Sequence, residues 1–217
     1  MQTRKQILDK IIDEGVISII RATSSDHIQD TARAIADGGV HTIEVTLNTP
    51  GAIPAIRDIA MNHPDILIGA GTVLNDQAAK RAIEAGAQFI VSPNTKAAVI
   101  ETTHHFGKVA IPGAFTPNEI AHAMDLYADI VKIFPANDLG PTYLRNIRGP
   151  FDDLQLMPTG GVNRNNIHQY FHAGARVVGI GSQLACFALM SQGRFSEITE
   201  RAQGIRQAVD KAQLDFL

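Results

Sequence analysis

Gly39-Val40-His41-Thr42-Ile43-Glu44-Val45 recurs along this chain as Gly86-Ala87-Gln88-Phe89-Ile90-Val91-Ser92 and as Gly174-Ala175-Arg176-Val177-Val178-Gly179-Ile180. In each copy a glycine suited to ending a helix is followed within a few residues by an apolar strand. Tyr127-Ala128-Asp129-Ile130-Val131-Lys132-Ile133 fits the same frame without its glycine. Copies spaced by about 45 residues, the length of two strand–helix units with short loops, read as the quarters of a barrel. Four further strand candidates lie between them, at 16–22, 66–70, 109–112 and 154–158, which makes eight.

The intervening segments switch to a helical period. Ile28, Ala32, Ile35 and Ala36 share one face after Ser25-Asp26, and Ala78, Ala79, Ala82 and Ile83 share another after Asn75-Asp76. Helices also fit 52–61, 96–105, 117–127, 141–147, 164–173 and 196–212. Strands alternating with helices imply parallel pairing, and eight such units in 217 residues predict an α/β fold, a (β/α)8 TIM barrel forming one domain over 1–217. A helix ending near Glu14 precedes the first strand and would cover the bottom of the barrel. An open doubly wound sheet is the alternative, but no Gly-x-Gly-x-x-Gly follows the first strand.

Composition narrows the function classes. With 45% hydrophobic and 19% charged residues the chain can bury a full core, so neither a disordered nor a fibrous protein is expected. A net charge of -3 without a basic stripe argues against nucleic acid as a partner, and no apolar run approaches bilayer length, which argues against a membrane. The polar start Met1-Gln2-Thr3-Arg4 is unlike a secretory core, so a cytoplasmic protein is expected. The single cysteine, in Leu184-Ala185-Cys186-Phe187, reads as a small core hydrophobe. His104 and His105 diverge on one helix, and His168 and His172 lack a nearby glutamate, so the histidines are assigned to polar helix faces and no metal is expected.

The chemistry begins with Lys132, an ammonium in the otherwise apolar Ile130-Val131-Lys132-Ile133-Phe134-Pro135. Burial disfavours its charged form, and a neutral lysine attacks carbonyls to form a Schiff base. A lysine reaching water from a strand end, or paired with a structural carboxylate, is the plainer alternative. Strand alternation puts Glu44 and Thr46 on one face, away from Val45 and Leu47; pointing inward, Glu44 would have a raised pKa suited to proton transfer near neutrality. A buried ion pair with Lys132 is the other reading of Glu44. At the strand ends of such a barrel, where catalytic groups collect, lie Arg21, a fork for a carboxylate or phosphate, and Gly71-Thr72, small residues followed by a hydroxyl. Ser92-Pro93-Asn94 and Pro112-Gly113 are turn chemistry. Thr159-Gly160-Gly161 after the seventh strand and Gly181-Ser182 after the eighth form the glycine-rich pair that holds phosphate in this barrel class.

Taken in order, Gly39 to Thr46, Gly69-Ala70-Gly71-Thr72-Val73, Ser92-Pro93-Asn94, Pro112-Gly113, Val131 to Pro135, Gly149-Pro150-Phe151, Pro158 to Val162 and Gly179 to Ser182 resemble the 2-keto-3-deoxy-6-phosphogluconate / 4-hydroxy-2-oxoglutarate aldolase family over nearly the whole chain. The resemblance implies class I retro-aldol cleavage to pyruvate and, for phosphorylated sugar acids, glyceraldehyde 3-phosphate, without metal or cofactor and in a homotrimer. It makes Lys132 the Schiff-base lysine and Glu44 the proton carrier. It also implies that Phe134 and Pro93 pack near the pyruvyl group, that Thr72 and Thr159 contact substrate, and that Gly160, Gly161 and Ser182 hold the phosphate. One departure bears on substrate: many phosphogluconate-type members have arginine where this chain has Asn48. Asn48-Thr49-Pro50, with Arg21 and Gly140-Pro141-Thr142-Tyr143, looks closer to the 2-keto-3-deoxy-6-phosphogalactonate branch, with Arg21 supplying the guanidinium. The rivals are a phosphosugar isomerase or epimerase on the same barrel, which needs no imine-forming lysine, and a binding barrel without catalysis.

Overall fold

The computed structural model describes residues 2–151 and 153–215. Helix α1 (Arg4–Glu14) opens on a reciprocal cap, Thr3 accepting from Gln6 N–H while the Gln6 side chain accepts from Thr3 N–H, and closes at Gly15 in the left-handed conformation. There follow β1 (Val16–Ile20), α2 (Ile28–Asp37), β2 (Thr42–Thr46), α3 (Ala52–Asn62), β3 (Leu67–Gly71), α4 (Asp76–Glu84), β4 (Phe89–Val91) and α5 (Ala97–His105). The chain continues through β5 (Val109–Ile111), β6 (Gly113–Ala114), α6 (Pro117–Asp125), β7 (Val131–Ile133), α7 (Gly140–Ile147), β8 (Leu156–Pro158), α8 (Ile167–His172), β9 (Val178–Ile180), α9 (Phe187–Ser191) and α10 (Phe195–Leu214). Among the described residues no helix is long and apolar enough to cross a membrane.

Every strand pair is parallel, as the alternation predicts. The strands form a six-stranded sheet, ordered β5-β4-β3-β2-β1-β9, and a three-stranded sheet, β6-β7-β8. Nine segments stand where eight strands are expected because Pro112 interrupts one of them; proline has no N–H to give a ladder. Its carbonyl still accepts from Lys132 N–H at 2.9 Å, so the contact with β7 spans the break. On the far side β8 meets β9 through isolated bridges, Leu156 to Ala175 and Thr159 to Gly179. Because β1 lies between β2 and the last strand β9, its neighbours do not have the central reversal of a doubly wound sheet.

Both faces of the strands are buried, as all-parallel sheets require. On one face Ile17, Phe89, Val91, Val109, Ile111, Met157 and Val177 cluster with Ile7 and Ile11 of α1, so the first helix does pack against the strand interior. The alternate residues, such as Ile20, Ile43, Val45, Ile68, Val131 and Ile133, pack in a second cluster with helix residues including Ile35 and Ile56. At the strand beginnings, His104 Nε2 lies 2.9 Å from Asp129 Oδ2, which also accepts Ala110 N–H at 2.8 Å, and Arg4 of α1 reaches the other oxygen at 3.5 Å. His104 is therefore a tie between α5 and the approach to β7 rather than part of a polar helix face.

Glycines on the inner face make room for their neighbours. A Cβ at Gly69 would overlap the ring of Phe89, the largest fully buried side chain. Overpacking a dense interior costs about 1–3 kcal/mol. Gly69→Ala should therefore lower stability in urea by ~2 kcal/mol, and adding Phe89→Leu should restore part of the loss; additive losses in the double variant would mean that the ring and the glycine do not share that space.

Candidate active site

Lys132 sits at the centre of β7 with Val131 and Ile133 turned the other way into the helix-side core. Alternation directs its side chain into the interior, where it is 6% exposed, with Nζ 5.0 Å from the ring centroid of Phe134. Glu44, on β2, is likewise flanked by outward-packing Ile43 and Val45 and is 1% exposed. Its carboxylate occupies the space left by Gly71 of the paired strand, where a methyl group would overlap it. Oε2 of Glu44 has no hydrogen-bond partner, and among the described residues no ion pair joins Glu44 to Lys132. A neutralising ion pair is thus not what holds these two groups.

They interact through space instead. Burial pushes the Glu44 carboxyl up from its ordinary pKa, and the charges of Lys132 and Arg21 draw it part-way back. Burial pushes the Lys132 ammonium down; the Glu44 charge opposes that shift and Arg21 adds to it. The result is a lysine biased toward the free amine near a carboxyl group biased toward holding its proton. Lysine burial alone does not mark the site. Lys108 is 4% exposed at the start of β5, where its Nζ donates to Gln88 Oε1 at 2.6 Å and burial lowers its pKa too.

What distinguishes Lys132 is the cavity it faces, about 390 Å³ in volume. Arg21, Lys132, Phe134 and Thr159 line it on one side, and Gly160, Gly161, Gly181 and Ser182 on the other strand-end loops. Larger recesses of about 540 and 610 Å³ lie where the strands begin, around Asp13 and Asp210, and neither is lined by Lys108 or Lys132. The Thr159 hydroxyl is buried against Gly179 without a partner. Among the described residues, the backbone N–H groups of Gly161, Val162, Gly181 and Ser182 have no protein acceptor, whereas that of Gly160 turns to Gly179 in the bridge between β8 and β9.

Three expected residues stand back from the cavity wall. Glu44 does not line it. Thr72, at φ 53°, accepts from Arg21 Nη2 at 3.4 Å, so the guanidinium reaches over β2 toward the end of β3 and away from β9. Pro93 packs its backbone where a Gly113 side chain would be, as part of the turn after β4. Residues not assigned to the site from the sequence complete the wall: Ile19, Val162, Gly179, Gln183, Ala185 and Phe187. Ile19 could have been found from the sequence, since it lies two residues before Arg21 on the same strand face. Thr49 carried no sequence signal beyond a turn; it is buried, its Oγ1 accepts Ala22 N–H at 3.1 Å and lies 3.1 Å from Thr46 Oγ1. That hydroxyl ties the chain just after Arg21 to the strand carrying Glu44. Cys186 packs against the core edge and caps α9, where Leu189 N–H lowers its thiol pKa.

The family model described as KDPG and KHG aldolase matches residues 7–201. The chain belongs to this aldolase family. The KHG/KDPG aldolase of Escherichia coli K12 is 35% identical over 216 residues, covering 99% of this chain and all of that protein. A probable 2-dehydro-3-deoxy-6-phosphogalactonate aldolase of Rhizobium meliloti is also 35% identical, over 175 residues that cover 80% of this chain and 82% of its own. The KDPG aldolase of Legionella pneumophila, solved with pyruvate captured at low pH as a covalent carbinolamine intermediate, superposes with a TM-score of 0.83 at 30% identity, covering 92% of this chain and 98% of that one. The protein is a class I aldolase, a carbon–carbon lyase.

The charges around Lys132 give this aldolase a signed pH test. The Glu44 charge holds the Lys132 pKa up and Arg21 pushes it down. Glu44→Gln should therefore move the pH dependence of borohydride trapping, at saturating pyruvate, to lower pH, and Arg21→Ala should move it to higher pH. Shifts in the same direction, or none, would show that these charges do not govern the amine.

Proposed function

We propose that this aldolase cleaves a 2-keto-3-deoxy-6-phospho sugar acid, of the gluconate or galactonate type, to pyruvate and glyceraldehyde 3-phosphate through an imine on Lys132. The second substrate in this proposal is 4-hydroxy-2-oxoglutarate, giving pyruvate and glyoxylate. The observation that carries it is a buried, inward lysine with a lowered pKa, facing a cavity whose other loops offer backbone N–H groups without acceptors.

The neutral Lys132 amine attacks the C2 ketone, and the carbinolamine hydroxyl leaves as water on taking a proton from the neutral Glu44 carboxyl through a bridging water, which leaves a protonated imine and a Glu44 carboxylate. The C3–C4 bond then breaks with its electron pair flowing through C3 and C2 to the imine nitrogen, while Glu44, through a water, takes the C4 hydroxyl proton and the aldehyde leaves. Glu44 returns that proton to C3 of the enamine. Water hydrolyses the regenerated protonated imine, releasing pyruvate and the free amine and returning the remaining proton to the Glu44 carboxylate. The raised pKa of Glu44 suits a group that must both take and give a proton. The imine is itself the electron sink, so the scheme uses no metal or cofactor. Phosphate held at Gly160, Gly161, Gly181 and Ser182 fixes the far end of the substrate, so remote binding energy orients C2 toward Lys132.

Arg21 takes the substrate carboxylate in this proposal. Asn48, where many relatives carry arginine, is exposed and does not line the cavity, whereas Arg21 does and leans away from the phosphate loops. Phe134 and Pro93 belong to the pyruvyl side, and Thr72 and Thr159 are hydroxyl contacts. At the level of the fold, the two sheets act as one closed (β/α)8 barrel and residues 1–217 as one domain; the carbonyl of Pro112 and the β8–β9 bridges support closure. In this proposal the chain works in the cytoplasm and forms a homotrimer, the latter as the family resemblance implies.

Borohydride with pyruvate should add a single reduced adduct, mapping to Lys132 and absent from Lys108, in step with loss of activity. An adduct on Lys108 would move the carbonyl chemistry to the other end of the strands. Arg21→Ala should raise the KM for pyruvate in the synthetic direction by about 10-fold or more, with Arg21→Lys recovering only part because the ammonium lacks the planar fork. A rise confined to the KM for glyceraldehyde 3-phosphate would assign Arg21 to the phosphate instead.

A further inference from the structure

The turn after β8 is braced from outside the cavity wall. Gly160 and Gly161 adopt φ of 99° and 74°, open to glycine but strained for other residues, and a Cβ at Gly161 would meet Asn137 Cβ at 2.5 Å. The Gly161 carbonyl accepts two hydrogen bonds, from Asn163 Nδ2 at 3.1 Å and from Asn166 Nδ2 at 3.0 Å. The orientation of each amide is set by what its oxygen does. Asn166 Oδ1 accepts Asn163 N–H at 2.8 Å, and Asn163 Oδ1 accepts Asn165 N–H at 2.9 Å. Both Nδ2 groups are therefore the ones left to donate to Gly161.

The Gly161–Val162 peptide is trans, so the Val162 N–H points opposite to the carbonyl that the two asparagines hold. Val162 lines the cavity, and its N–H has no protein acceptor. We infer that Asn163 and Asn166 are positioning residues for the phosphate site, holding the Gly161 carbonyl so that the Val162 N–H is presented to the phosphate oxygens beside that of Gly161. The inference rests on the phosphate site proposed above. A peptide between a glycine with a left-handed φ and its neighbour is easily reoriented, and a flipped one would turn its carbonyl oxygen toward an anion. Two donors, from positions three residues apart, oppose that rotation. Neither asparagine lines the cavity, so their effect passes through the peptide.

Inorganic phosphate is the probe, as a competitive inhibitor of cleavage of whichever 6-phosphorylated acid the wild type accepts. Asn163→Ala/Asn166→Ala should raise the phosphate inhibition constant and the KM for the phosphorylated acid by about 10-fold, the scale of one charge-assisted hydrogen bond. The KM for the unphosphorylated substrate, 4-hydroxy-2-oxoglutarate, and the rate of borohydride trapping with pyruvate should stay at wild-type values. Asn166→Ala alone, which leaves one donor on the carbonyl, should give a smaller shift in the same direction. Unchanged phosphate inhibition in the double variant overturns the inference, as does a parallel loss of pyruvate trapping in both variants, which would make the amides scaffolding. If inorganic phosphate fails to compete in the wild type while pyruvate trapping proceeds normally, the phosphate site itself is wrong and the inference falls with it.

Discussion

Withdrawing Lys132 from water is the constraint around which the rest of the site is arranged. An ammonium in an apolar interior is unfavourable by several kcal/mol unless it is paired or loses its proton. This interior offers no direct pair. Glu44 lies close enough for its charge to be felt and too far for an ion pair, and its own burial pushes it toward neutrality. Burial therefore disfavours the charged form at both positions, and what each loses in hydration is returned only partly by the other. That is a poor arrangement for stability and a good one for proton transfer.

Small residues make the arrangement possible. Inward glycines at 69, 71 and 179 each give their space to a neighbour: Phe89, Glu44 and Thr159 respectively. Two of those neighbours belong to the candidate site and the third to the apolar cluster under α1, so the same pattern of small residues both packs the interior and aims its polar groups. The hydroxyl of Thr49 adds a tie between the chain after Arg21 and the strand of Glu44, coupling the two groups whose charges act on Lys132.

Much of this was legible in the sequence because it follows from alternation. Lys132 stood out as a charge in an apolar strand, and parity alone turned Glu44 inward with it. The strand–helix order was readable from helix-ending glycines and apolar runs, including the last helix, read at 196–212 and found as α10. Loops were less legible. The direction of the turn after β4, which takes Pro93 off the cavity wall, and the course of the chain to Phe187 after β9 depend on packing rather than period. The burial of Lys108 and the tie of His104 depend on Gln88 and Asp129, partners 20 and 25 residues away that no local pattern announces. Pro112 was visible as a strand end, yet its role as an interruption with β6 beyond it required the pairing with β7.

The separation of Glu44 from Lys132 has a consequence during turnover. A carboxylate held in an ion pair would be locked to one protonation state, whereas one that senses its neighbour only as a distant charge has a proton affinity that follows that charge. In the proposed cycle the nitrogen is positive in the iminium and neutral in the enamine. As the carbon–carbon bond breaks and the positive charge disappears, Glu44 becomes more basic, at the moment when a proton must be taken from the departing alcohol. When the enamine is reprotonated the charge returns and Glu44 becomes more acidic, at the moment when it must give that proton up. The substrate's own electron flow thus sets the timing of the acid and the base, and a single carboxyl group serves as both.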